Sequence, residues 1–278
     1  MLHVDTPEQV HELNEIPTDR RVALRLLWLL DDPYAPLDEI TRVISADPAL
    51  SVRILALANG SFFRNGRGTA ALPAAVSLLG ANTVHSVAST AVFDLFSNRT
   101  ELPDHFWLHA ITAGVAAARV AVHLDVDPAD ALTVGLLHDF GEPLLHRRGP
   151  EQFDEMLRSA SGESPEARRA IEQRLFGIDH ATLGAQVLSS NGLPTTITNV
   201  VRDHHVAGAS ADPLTRVVQV ADCIAEIVDG NARVDLDAML RAAGVSAVGE
   251  HLVGQAEGDR SALLNFLADF MTPRSAIR

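Results

Sequence analysis

A chain of 278 residues, 47% hydrophobic and carrying a formal charge of −14 at neutral pH, can form one large domain or two small ones and has enough apolar matter for a real core. Its acidity, with a pI of about 5.2, argues against a broad surface for DNA, RNA or an anionic membrane, which would need clustered Lys and Arg; one small phosphorylated ligand stays within reach. A single cysteine, Cys223, permits no internal disulfide, Met1 to Arg20 lacks the apolar stretch of a signal peptide, and no run approaches the ~20 apolar residues of a membrane span, so the expectation is a cytoplasmic protein.

Residues 1–20 read as a polar lead-in. Arg21 to Leu30 is the first strong helical run, with Leu24, Leu27, Trp28 and Leu30 on one face, and Asp31-Asp32-Pro33 stops it. Leu37 to Ile44 reads as a second helix. Asp47-Pro48 places an N-cap before a first-position proline, and that helix ends at Asn59-Gly60. Residues 61–69, with glycines and two arginines, read as a loop. Ala74 to Leu79 and a longer run from Asn82 to about Phe96 are helices separated by Gly80. The polar stretch Asn98 to Asp104, with Pro103, marks a boundary. It divides the chain into an N-terminal helical subdomain (1–100), a helical core (101–230) and a C-terminal helical tail (231–278) packed on that core. Helices are expected at about 105–124, 128–138, 179–189, 195–205 and 213–228. A polar charged segment fills 147–174, and two weaker helical patterns surround Met239 and Leu263. No strand and no fixed-period repeat emerge, so the fold class is all-α.

The chemistry concentrates around Gly135-Leu136-Leu137-His138-Asp139-Phe140-Gly141-Glu142. An imidazole and a carboxylate ending an apolar helix cost energy unless something pairs with them. A divalent metal satisfies both at once; a His-Asp hydrogen bond capping the helix is the plainer alternative. Other helices repeat the pattern. Ile197, Val200, Val201 and His204 fall at i, i+3, i+4 and i+7, with His205 at the border. Asp222 lies beside the stripe of Leu214, Val218, Ala221 and Ala225. His180 shares a face with Leu183 and Val187, and His109 lies in line with Ala113 and Ala116. His109, His138, Asp139, His180, His204, His205 and Asp222 therefore face one interior. Seven unpaired polar groups at ~1–3 kcal/mol each are hard to bury singly, and one or two metal ions would resolve the cost together. His3, His11, His85, His105, His123, His146 and His251 fit no such pattern and read as surface or ordinary core.

This order of residues resembles the HD superfamily of metal-dependent phosphohydrolases, and most closely its HDOD branch, the HD-related output domain of bacterial signalling proteins. Further blocks carry the likeness: Ser45-Ala46-Asp47-Pro48-Ala49-Leu50 with Ile54 to Asn59, Ala75-Val76-Ser77-Leu78-Leu79-Gly80, and Gly177-Ile178-Asp179-His180 with Leu193-Pro194 and Asp203-His204-His205. The resemblance spans roughly 15–230 and implies an N-terminal helical subdomain on an HD-like core. It implies one ion (iron, manganese or zinc) on His109, His138, Asp139 and Asp222, with Asp139 bridging to a second on His180, His204 and His205. Such a centre could lower the pKa of a bridging water and clamp a phosphate. Two departures weigh against hydrolysis. The related cyclic-di-GMP phosphodiesterases carry a phosphate-binding Lys where this chain has Glu142. Their Gly-Tyr-Pro signature is replaced by Val206-Ala207-Gly208-Ala209.

The preferred reading is a non-catalytic regulatory module working through signalling proteins or a phosphorylated small ligand such as a cyclic dinucleotide. With no receiver, kinase or cyclase segment in the sequence, its input is expected from another molecule. A metal-dependent phosphohydrolase or phosphodiesterase is the alternative. The nearest phosphate-binding candidates are Arg147, Arg148 and Arg202, the last expected on a solvated face. The stretch from Gly60 to Gly68, with Phe62, Phe63, Arg64 and Arg67, suits either a partner contact or a loop folded back on the core.

Overall fold

A computed structural model describes residues 16–32, 34–60, 68–94, 103–159, 164–206, 212–230, 235–246 and 249–271. Phe62, Phe63, Arg64 and Arg67 lie outside them. The described residues form helices and no strand: α1 (Arg20–Leu30), α2 (Leu37–Ile44), α3 (Pro48–Asn59), α4 (Leu72–Asp94), α5 (Asp104–Ala121), α6 (Pro128–Leu137), α7 (Gly141–Arg148), α8 (Pro150–Ser159), α9 (Pro165–Phe176), α10 (His180–Ser190), α11 (Thr195–Asp203), α12 (Pro213–Val228), α13 (Leu236–Ala243) and α14 (Gly249–Met271). The all-α expectation holds.

One start signal recurs. Asp47, Asp127, Ser164 and Asp212 each precede a proline at the first helical position and cap the helix with a side-chain oxygen. The proline gives up only an N–H that the first turn leaves unpaired, while the cap satisfies another. Gly80, with φ of 73° and ψ of 162°, breaks α4 into two pieces, as the sequence suggests. The segment expected to be merely polar, 147–174, is helical for most of its length. It holds the end of α7, all of α8 and most of α9. Helices α8 and α9 bury few side chains, Phe153 and Met156 on α8 and Glu172 on α9, so the stretch reads as polar.

An apolar core runs from Ile16, Leu26, Leu50 and Leu55 through Leu72 and Val84 to Leu136, Phe140, Leu145, Phe153 and Val201. A second cluster, rich in Ala and Val, joins α5 and α6 to α12, α13 and α14. A side-chain bond links the first half to the second, with the Leu72 N–H donating to Thr133 Oγ1 at 3.1 Å. Helices α5 and α6 pack closely because position 135 is glycine. A Cβ there would lie 2.7 Å from Ala117 Cβ and 2.8 Å from the Ala113 carbonyl oxygen. That close pairing holds His109 on α5 beside His138 at the end of α6. No helix among the described residues is long and apolar enough to cross a membrane.

Candidate metal centre

Five helices deliver the seven residues singled out above to one place. His138 caps the C-terminus of α6, and Asp139 follows it. His180 opens α10, fixed there by the Asp179 N-cap, which accepts from Thr182 N at 3.0 Å and Thr182 Oγ1 at 2.8 Å. His204 caps the C-terminus of α11, with His205 next. Asp222 comes from the middle of α12, and His109 from α5.

Asp139 lies at the centre. Its Oδ2 is 3.2 Å from His138 Nε2 and 3.5 Å from His109 Nε2. Its Oδ1 is 3.1 Å from His204 Nε2 and 3.4 Å from His180 Nε2. Asp222 Oδ1 closes the first side, 3.4 Å from His109 Nε2 and 3.5 Å from His138 Nε2. His205 closes the second, its Nε2 3.1 Å from His180 Nε2. Two sets of four donor atoms result, each within 4.8 Å: His109, His138, Asp139 and Asp222, and Asp139, His180, His204 and His205. Asp139 belongs to both.

The tautomers follow from what stands behind each ring. His138 Nδ1 lies 2.8 Å from the Gly135 carbonyl oxygen and His204 Nδ1 lies 2.7 Å from that of Val201. A carbonyl only accepts, so these nitrogens donate. His180 Nδ1 donates to Glu172 at 2.6 Å and His109 Nδ1 to Asp229 at 2.9 Å. In the neutral rings, all four Nε2 lone pairs therefore point inward. His109 Nε2, His138 Nε2, His204 Nε2 and Asp139 Oδ1 are buried and make no hydrogen bond. Buried acceptors facing acceptors need a cation between them, a proton or a metal.

Without a metal, protons gather here. Burial works against charge on His138, but Asp139 and Asp222 outweigh it and push its pKa to about 10. His109 rises for the same reason, its burial overcome by Asp222, Asp229 and Asp139. Burial likewise opposes the Asp139 and Asp222 carboxylates, yet the surrounding histidines hold both well below the usual range. Imidazole and carboxylate donors of this kind are ordinary ligands of iron, manganese and zinc, so the residues fit a divalent metal.

Three residues behind the nest are missing from the sequence reading. Glu172, fully buried on α9, accepts from both the Nδ1 and the backbone N–H of His180. Asp229, just past α12, holds His109 and is itself bridged by Arg260 of α14 at 3.0 Å. Arg168, one turn before Glu172, has its Nε 3.2 Å from the Glu172 carboxylate and its Nη2 bonded to Glu142. This places Arg168, which the sequence reading did not single out, against the centre. Arg202 instead pairs with exposed Asp203 at 2.6 Å. A hint of α9 stood in Ser164-Pro165, the same start signal as in α3 and α12. Nothing in the local sequence says that its inward group is a carboxylate.

A cavity of about 390 Å³ opens beside the nest. Phe106, Trp107, Leu136 and Phe140 form apolar wall, and Asp139, His109, Glu142 and Arg168 line its polar side. His105, read from the sequence as surface or ordinary core, is also on its wall.

The HDOD domain model matches residues 16–207. The chain belongs to the HDOD family. Asp222 and Asp229 lie beyond the matched segment, yet the fold brings both to the nest. Among solved structures, the chain is similar to the MmoQ response regulator from Methylococcus capsulatus, with 25% identity and a TM-score of 0.71, covering 85% of this chain and 96% of that one. A virulence factor from Campylobacter jejuni shares the fold at 13% identity and a TM-score of 0.65, with coverage of 93% and 96%. An uncharacterized protein of Treponema pallidum is 25% identical over 227 residues, 78% of this chain. That match spans less than half, 44%, of the curated relative.

Proposed function

We propose that this HDOD protein is a non-catalytic regulatory module whose HD-like core carries one or two divalent ions and whose cavity or surface contacts a small ligand or a signalling protein. The observation that carries the proposal is the pairing of a complete set of inward Nε2 and carboxylate atoms with a cavity whose guanidinium is already tied to Glu142. The donors support bound metal. The Glu142–Arg168 pair opposes phosphate capture, because a negative carboxylate occupies the cation a phosphate would need. The likeness to a response regulator supports a signalling role.

His109, His138, Asp139 and Asp222 would hold one ion and Asp139, His180, His204 and His205 the other. When bound, such ions supply positive charge and Lewis acidity. The chain's own residues orient them. Gly135 and Val201 carbonyls and the Glu172 and Asp229 carboxylates lock the ring tautomers, and outer partners of this kind tune metal affinity strongly. A phosphohydrolase is the second reading, favoured by one observation, the carboxylate of Asp139 shared between two donor sets.

The test is metal content of protein purified without chelator or added metal, beside the His138→Ala/Asp139→Ala variant, followed by a screen with cyclic dinucleotides and phosphate esters. One or two equivalents of iron, manganese or zinc, lost in the variant, with no turnover, is the expected result. Metal-dependent turnover would replace the regulatory reading with the second. No metal in the wild type, even after reconstitution, would remove the metal from both.

A further inference from the structure

Arg168 and Glu142 meet on the wall of the cavity beside the nest. We propose that Arg168 is the anion-recognition residue of this cavity and that Glu142 is its internal occupant, a built-in competitor for a small ligand that joins an apolar body to one anionic group, phosphate or carboxylate. This deepens the reading of the cavity as the ligand site and does not require the metals.

Position and chemistry carry it. Arg168 comes from α9 and Glu142 from the first turn of α7, and both line the cavity. Their side chains meet Nη2 to Oε1 with 23% and 11% of their surface exposed. A guanidinium so largely buried is costly unless its planar fork meets carboxylate or phosphate oxygens. Glu142 meets Nη2 through one oxygen while Nε faces Glu172, so a ligand that displaces Glu142 gains the Nη pair for the bidentate geometry that arginine binds best. Phe106, Trp107, Leu136, Phe140, Pro143 and Leu157 form an apolar side of the wall, and His105, His109, Asp139, Glu226 and Asp229 complete its polar side. A chamber of about 390 Å³ with an apolar side and one cationic anchor is ordinary for a small-molecule site. Glu142 holds the anchor from within the same fold, so a free anion competes at a disadvantage. A ligand that succeeds must supply the difference through the apolar wall.

The anchor is also wired to the nest. Arg168 Nε faces Glu172, and Glu172 holds His180. An anion that draws Arg168 away from Glu142 therefore acts on the residue that orients His180, whether or not an ion is bound.

The experiment uses the full chain and two probes, inorganic phosphate and benzoate, read by Trp107 fluorescence in a Trp28→Phe background. Glu142→Gln keeps the shape and removes the competing charge. It should bind one of the two probes at least 10-fold more tightly than the parent, and Glu142→Gln/Arg168→Gln should lose that gain. Whichever probe gains identifies phosphate or carboxylate as the preferred anion. An unchanged affinity for both probes in Glu142→Gln overturns the proposal, as does a gain that survives in the double variant. Should Glu142→Gln not fold, by circular dichroism, Glu142→Ala takes its place. Each titration is repeated after chelation. Binding that persists without metal supports the Arg168 site even where metal loading fails, so the two readings fall separately.

Discussion

Gly141 is the residue on which the second half of the nest depends. It opens α7 where that helix crosses the start of α10. A Cβ built there would collide with the His180 carbonyl oxygen, lie 2.7 Å from the His180 carbonyl carbon and 2.9 Å from Gly184 N. All three obstacles are backbone, so no side chain can swing aside. To restore ordinary contact the two helix ends would have to part by roughly 1–1.5 Å. His180 Nε2 is 3.4 Å from Asp139 Oδ1, and the same movement would carry it away from that carboxylate. Overpacking of this kind typically costs about 1–3 kcal/mol, and ~1 kcal/mol is worth roughly 2–4 °C in a domain of this size. Gly141→Ala should therefore melt several degrees below the wild type and lose the ion assigned to His180, His204 and His205 while keeping the one on His109, His138, Asp139 and Asp222. Gly254→Ala is the control, since a Cβ at Gly254 meets nothing within 4 Å. There the gain in helix propensity, about 1 kcal/mol, should raise stability. Differential scanning calorimetry and metal analysis of both variants decide the matter. A Gly141→Ala protein with wild-type melting and both ions would refute the reasoning.

Glu172→Gln keeps the size of the side chain but weakens its hold on the His180 Nδ1–H. Metal affinity at the His180 side should drop by roughly 10–100-fold, with far less change at the other side, as measured by competition with a chelating dye. Metal uptake at pH 7 should release protons, because His138, whose pKa stands at about 10, carries a proton that a metal must displace; calorimetry in buffers of different ionisation enthalpy measures the count, and no release would contradict it. Asp47, fully buried beneath α3, supplies a pH dependence of stability. Burial lifts its pKa from 3.8 to about 7 despite bonds from Leu50 N and Asp19 N. The folded state thus holds a proton that the unfolded chain sheds near pH 4. The stabilising contribution is complete below that point and is lost as pH rises through about 7, on the order of 4 kcal/mol in all. Urea midpoints at pH 5 and pH 8 should differ less in Asp47→Asn than in the wild type, and an equal difference would exclude Asp47 as the source.

What could be read from the sequence was whatever an apolar stripe or a cap announces. The helices α1 to α6 and α10 to α12 have such stripes or Asp-Pro starts, and their boundaries fall within a few residues of expectation. His109, His138, Asp139, His180, His204, His205 and Asp222 could be picked out because each is a polar group on an apolar face. Their grouping into two sets came from the family likeness and not from spacing. The segment carrying α8 and α9 hid its helices, since most of its side chains face solvent. With α9 hidden, Glu172 and Arg168 were invisible, for a buried carboxylate on a charged helix looks like its exposed neighbours. Asp229 was missed for a different reason. It follows the end of α12 and gains its meaning only from His109, 120 positions earlier, and from Arg260 on the last helix.

Charge around the nest ties these late-found residues to its proposed use. Asp139 and Asp222 face inward, with Glu172, Asp229 and Glu142 behind or beside them. Arg168 and Arg260 meet three of these carboxylates, Arg168 reaching both Glu142 and Glu172. Five negative charges against two positive ones leave the neutral-histidine nest short by three, which two divalent ions would overshoot by one. A loaded nest would thus be nearly neutralised by its own surroundings, and little field would remain to draw a phosphate dianion from solvent. In the cyclic-di-GMP phosphodiesterases a lysine after the His-Asp pair meets the phosphate. Here that position is Glu142, and the cation opposite, Arg168, is already spoken for. On the proposed reading an anion reaches it only by displacing a carboxylate of the protein, and that arrangement favours a threshold for sensing over turnover.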